Sequence, residues 1–170
     1  LFGVNLRCHH LSWYTMEGEA KRDYPASILH QSPWYKEYNT VESWFSRMGY
    51  FRAKGTPNCD LLVLNPVESV WGKMYPGAIE MMNAKDSDIL ELEDKYAKTF
   101  HYLAGNQIDF DYGDEDLLHK NGKVEVVEGK AVLSLGEMTY TMLLISGMDT
   151  IRKTSVTLLK EFSDKGGNII

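Results

Sequence analysis

The apolar residues change their spacing repeatedly along the chain, and each change predicts an element. From Ser32-Pro33 onward, Trp34, Tyr38, Val41, Phe45 and Met48 recur at steps of four, three, four and three, the stripe of one helix face. Ser32 suits an N-cap and Pro33 the first helical position, while Gly49 and Gly55 offer ends. In "CDLLVLNPVES" the spacing collapses to an unbroken apolar run, Leu61 to Leu64, halted by Asn65-Pro66. Short continuous runs of this kind belong to parallel strands covered on both faces. Residues 71 to 85, rich in Gly, Met and Pro, predict loop or broken helix.

Helical spacing returns from about Asp88 through Ile89, Leu92, Tyr96, Phe100 and Leu103, with Gly105 as the stop. Ile108 and Phe110 then alternate with Asp109 and Asp111, as in a half-covered strand. "KVEVVEGKAVLSLG" predicts a hairpin about Glu128-Gly129, and "YTMLLISG" a second buried strand. A helix capped near Thr154 runs through Leu158, Leu159 and Phe162 to Gly166-Gly167, and Asn168-Ile169-Ile170 opens a further strand.

After the linker Gly55-Thr56-Pro57-Asn58, the order is therefore strand, helix, strand, hairpin, strand, helix, strand. That alternation predicts an α/β domain over residues 58–170, a flavodoxin-like parallel sheet with flanking helices. Residues 1–55 form a separate arm and helix. Within the arm a short strand, Phe2 to Cys8, gives way to a polar loop dotted with aromatic residues.

Composition removes several classes of function. A net charge of −6 with scattered basic residues argues against nucleic acid, because no cluster could neutralise a run of phosphates. The longest apolar runs, Leu61 to Leu64 and Met142 to Ile145, are far below membrane-spanning length. "LFGVNLRC" has no basic front or small-residue cleavage site and does not read as a signal peptide; the cytoplasm is favoured but the location stays unassigned. Cys8 and Cys59 are too distant for a CxxC site and are expected to be idle thiols rather than a disulfide.

Candidate chemistry is sparse. His9 and His10 are neighbours that would point to opposite faces of a strand, which suits loop histidines better than a shared metal, although one imidazole could serve a polar ligand. Trp13, Tyr14, Tyr24, Trp34 and Tyr35 offer flat faces on which sugars stack, or simply fill a junction. Glu17, Glu19 and Asp23 share that loop without the rigid frame that paired glycosidase carboxylates need. "DFDYGDED", residues 109–116, lacks the sixth-position Gly and closing Glu of a calcium loop; a strand end followed by an acid-rich helix start accounts for it. There is no nucleophile elbow and no Gly-rich phosphate loop. No catalytic residue, metal ligand or cofactor is assigned.

Two groups of stretches together resemble a known family. "HHLSWYTMEGEAKRDYPASILHQSPWYKEYNTVESWFSRMGYF" resembles the segment closing the catalytic barrel of bacterial glycoside hydrolases related to the family 106 α-L-rhamnosidases. Its features are His9, His10, Tyr14, Lys21 to Pro25 and Pro33-Trp34. "LLVLNPVESVWG", "IDFDYGDEDLL" and "MTYTMLLISGMDTIRKTSVTLLKEFSDKGGNII" are similar to the domain that follows that barrel. That domain is akin to the trimerisation domain of family 42 β-galactosidases, with a class I glutamine amidotransferase-like fold.

The resemblance implies that the chain is a slice of a carbohydrate-active enzyme, truncated at its carboxyl end. It also implies that the catalytic carboxylates lie on earlier strands outside the chain. His9, His10, Trp13 and Tyr14 would then sit at the rim of a barrel strand and touch the carbohydrate substrate. The chain's own part would be structural, and the aromatic stripe of residues 34–48 would meet the parent enzyme or another copy in a homo-oligomer. A small-molecule-binding or amidotransferase-like module is the competing expectation.

Overall fold

The computed structural model describes residues 6–8, 15, 17–19 and 30–170. The chain divides into two compact units, Leu1–Thr56 and Pro57–Ile170. In the first, a 3-10 turn, Tyr35–Glu37, leads into α1, Tyr38–Arg52. Ser32 does not cap by its side chain; its carbonyl receives the Tyr35 N–H at 3.1 Å, and the helix proper begins later than Pro33. No residue of α1 is buried. Arg7 pairs with Glu42 and lays its guanidinium 4.0 Å from the centre of the Phe45 ring. Residues 6–8 carry no strand, and the rest of the Phe2 to Cys8 expectation lies outside the described residues.

The second unit is built on a four-stranded parallel sheet. It starts with β1, Leu61–Leu64, buried along its whole length as its unbroken apolar run requires. There follow α2, Val67–Trp71, the small hairpin β2, Ile79–Glu80, and β3, Asn83–Ala84, and the long helix α3, Ser87–Gly105. Residues 71–85 were expected to be loop or broken helix; the ordered part is this hairpin, seated by buried Ala78, Ala84 and Ile89. Next come β4, Asp111–Gly113, α4, Glu115–Asn121, and an antiparallel meander of β5, Gly122–Val127, β6, Lys130–Leu135, and β7, Met138–Tyr140. The chain ends with β8, Met142–Ile145, α5, Lys153–Asp164, and β9, Asn168–Ile169.

Strands β4, β1, β8 and β9 lie side by side in that order, all parallel. The strand expected around Ile108 and Phe110 starts at Asp111 instead, because pairing with β1 begins where Asp111 meets Leu62. Alternation along β1 sorts the core into two layers. Leu62 and Leu64 face Leu118, Leu159 and Phe162 together with the meander, whereas Leu61 and Val63 face Leu103, with Phe110, Tyr112 and Leu144 packed beside them. The sheet is therefore covered on both sides, by α4, α5 and the meander on one and α3 on the other.

Phe162 is fully buried and closes the bend into β9. A methyl on Gly167 would lie 2.5 Å from its ring carbons, so only glycine lets the chain pass. Both two-residue hairpin turns put their central residues in the left-handed region: Glu128 and Gly129 between β5 and β6, and Met81 and Met82 between β2 and β3. Glycine relieves one position of the first turn. The second has no such relief, at a cost of about 1–2 kcal/mol per residue.

Candidate functional site at the carboxyl rim of the parallel sheet

In open parallel sheets a ligand crevice forms at the carboxyl ends of neighbouring strands whose connections depart in opposite directions. Here that point lies between β1 and β8, since the connection leaving β1 leads to β4 on one side and that leaving β8 leads to β9 on the other. The residues leaving β1 are Asn65 to Ser69, and those leaving β8 are Ser146 to Arg152.

Ser69 ties the two exits together. It is buried on α2, and its Oγ accepts from the Asp149 and Thr150 backbone N–H groups at 3.0 and 3.1 Å. The same oxygen lies 3.2 Å from Thr150 Oγ1 and 3.4 Å from the Thr150 carbonyl, so the hydroxyl proton also has an acceptor in reach. Gly147 stands at the start of this loop with φ +65°, and a methyl there would meet Lys95 Cβ at 2.8 Å. Beside it Thr99 donates to the Lys95 carbonyl at 2.9 Å, which leaves Ser146 as the donor in their 2.7 Å hydroxyl contact.

Charges surround this neutral centre, and they meet one another. Lys73 bridges Asp149 at 3.0 Å and Asp88 at 3.1 Å, contacts that hold its ammonium pKa above the usual value. Arg152 contacts Glu68 and also reaches Asp116 at 3.1 Å; both carboxylates, Glu68 foremost, push its pKa upward. Asp116 is held below the ordinary carboxylate range, chiefly by Lys120 and then by Arg152. Asp86 caps α3 by accepting from the Asp88 and Ile89 amides at 2.9 and 3.1 Å and receives the Tyr75 hydroxyl at 3.1 Å. The Ile89 amide is the main reason its pKa falls.

The start of α5 is the position where a helix dipole and free N–H groups would receive a phosphate. Buried Glu115 stands there instead, its Oε2 accepting the Arg152 backbone N–H at 2.8 Å. Thr154 is thus not the cap: the N-cap is Arg152, whose side chain makes no capping bond because it is committed to Glu68 and Asp116. Glu115 Oε1 and Ser155 Oγ, both buried, have no hydrogen-bond partner among the described residues.

His9, His10, Trp13 and Tyr14, the residues expected to touch carbohydrate, lie outside the described residues, as does Asp23. The acid-rich stretch resolves into the strand β4, the N-cap Asp114 with amides of Asp116 and Leu117 at 2.8 and 3.1 Å, and the first turn of α4. No group of three or more metal-binding side chains occurs among the described residues. Nor does any described helix have the length and apolar character to cross a membrane. Cys59 is buried, its Sγ facing the Leu61 carbonyl at 3.4 Å, and desolvation pushes its thiol pKa up, away from nucleophilic use.

Sequence reasoning passed over Glu68, Ser69, Asp149, Thr150 and Arg152. Their signal was positional: each lies within seven residues of the end of one of the two apolar runs. The protein these elements define is a mixed α/β chain with a doubly covered four-stranded parallel sheet. No family model matches the sequence, and no curated protein does either.

Proposed function

We propose that the chain is a non-catalytic structural part of a carbohydrate-active enzyme, joining the end of a catalytic barrel to a flavodoxin-like, class I glutamine amidotransferase-like domain. The observation that carries the structural role is the rim between β1 and β8. Its cations are paired with its own carboxylates, its central hydroxyl is engaged by its own backbone, and Glu115 stands at the helix terminus that would hold a phosphate. A crevice whose cations and central hydroxyl are engaged in this way has little to offer an anionic ligand, although Glu115 Oε1 and Ser155 Oγ stay without a partner among the described residues.

The strand order β4, β1, β8, β9 supports the flavodoxin-like part of the reading, since it follows the first four positions of that arrangement. The glycoside hydrolase parentage rests on the resemblance of the "KRDYP" and Pro33-Trp34 stretches and of the segments around β1, β4 and β8. Fold alone confers no activity, so the two parts need separate tests. Purified chain is expected to release no sugar from aryl glycosides, and release would defeat the structural role. Sequencing the coding region upstream tests the parentage: barrel strands ending in paired glutamates support it, and an unrelated upstream domain would refute it.

A further inference from the structure

We propose that Met81 and Met82 form a redox modification site, at which a hydroperoxide converts both thioethers to sulfoxides ahead of the other described methionines. Both residues are 96 % exposed, while Met48 and Met74 are 38 % and 48 % exposed and Met138, Met142 and Met148 are half-buried. Thioether oxidation follows access to the sulfur.

Exposure is one of two independent observations. The other is the backbone. Met81 and Met82 occupy the two central positions of a hairpin turn with φ of +47° and +65°, where Asn and Gly are the residues that fit without strain. The thioethers contribute nothing to the core, and the turn geometry is worse for having them. The fold needs only what lies beneath: Ala78, Ala84 and Ile89 are buried, the Lys85 N–H donates to the Ala78 carbonyl at 2.7 Å, and Asn83 Nδ2 donates to the Met81 carbonyl at 3.1 Å. The tip is therefore free to change polarity while its base stays fixed.

In the step, a sulfur lone pair attacks one peroxide oxygen and the O–O bond breaks. The sulfur is oxidised by two electrons to the sulfoxide, and the second oxygen leaves as water or an alcohol after taking up a proton. Methionine sulfoxide reductases, one for each sulfoxide epimer, reverse it at the expense of two thiols that become a disulfide. An apolar tip thereby becomes polar and can be restored.

The test is timed hydrogen peroxide treatment of the full chain with peptide mass mapping, folded and in urea. In the folded chain Met81 and Met82 are expected to gain oxygen on the order of tenfold faster than Met138, Met142 and Met148, and measurably faster than Met48 and Met74. In urea the rates should converge. The thermal midpoint should hold after oxidation, and both reductases together should remove the added oxygens. The double variant Met81→Leu, Met82→Leu should lose the fast phase. Equal rates at Met74, a fast phase surviving in the variant, or loss of fold on oxidation would each overturn the proposal.

Discussion

Helices α1 and α5 both carry apolar residues at helical spacing and meet opposite fates. In α5, Leu159 and Phe162 are buried against Leu62, Leu64 and the meander, and Ser155 is buried with them. In α1, Trp44, Phe45, Met48 and Phe51 remain exposed and nothing is buried. The two helices are about equally hydrophobic on average, but the apolar residues of α5 keep to one face while those of α1, the more aromatic, spread further around the helix. The partner differs as well: α5 follows a strand and returns onto the sheet that strand belongs to, a placement the alternating order of strands and helices favours. Helical periodicity reports that a face must be covered and is silent about what covers it.

The strongest way to break this contrast is to truncate the side chain on which α5 depends. Phe162→Ala should lose about 3–5 kcal/mol of unfolding free energy, from lost transfer and from a cavity that Gly167 is too small to fill. Urea denaturation followed by circular dichroism measures it. A loss below about 1 kcal/mol would mean that α5 is not seated as described.

Ser69→Ala probes the tie that sets the direction in which α5 leaves β8. Removing the hydroxyl strands the Asp149 and Thr150 amides and should cost about 1–3 kcal/mol. Hydrogen exchange should quicken first at those two amides, ahead of β1 and β8 themselves.

The paired change Val41→Asp, Phe45→Asp should leave the stability of the second unit within about 0.5 kcal/mol, the effect of an ordinary surface substitution. Light scattering on the same variant addresses partners. If the α1 face joins copies of the chain, the native chain will run above monomer mass and the variant at it; a monomeric native chain would exclude self-association through that face.

The smallest effect is that of pH. Asp86 and Asp116 have folded pKa values below the ordinary aspartate value of 3.8, so each contributes stability that is present above that value and lost as pH falls through the lower folded one. Acid titration of native stability should therefore show a decline below about pH 4, steepened by these two carboxylates. Asp86→Asn and Asp116→Asn should each flatten it. An unchanged slope in both variants would show that the pairs around α3 and Arg152 contribute nothing measurable.

Much of the second unit was legible because local pattern and tertiary demand agree there. Leu61 to Leu64 reads as a buried parallel strand and is one; Met142 to Ile145 is parallel as read but buried only at Leu143, and the Glu128-Gly129 hairpin falls where its turn residues put it. Misreadings arose where pairing or a distant group overrides local preference. The register with Leu62 moves the β4 strand to Asp111, and Glu115, 37 residues away, receives the amide at the α5 N-cap so that Thr154 is not needed. The rim was illegible for the same reason. Ser69 and Thr150 are 81 positions apart, and no spacing rule joins them until the strand order is known. The substrate-contact expectation for His9, His10, Trp13 and Tyr14 came from side-chain chemistry together with the resemblance and stays with the parent enzyme proposed above.

At the rim between β1 and β8 the cations and the central Ser69 hydroxyl are held by the protein's own carboxylates and backbone. Titration of isotopically labelled chain with a nucleotide, a flavin mononucleotide and a monosaccharide tests this most directly, read at the amides of Gly147, Thr150, Arg152 and Ser155. No saturable shift is expected at these four positions up to millimolar ligand. A saturating shift shared by them, with any of the three, would contradict it.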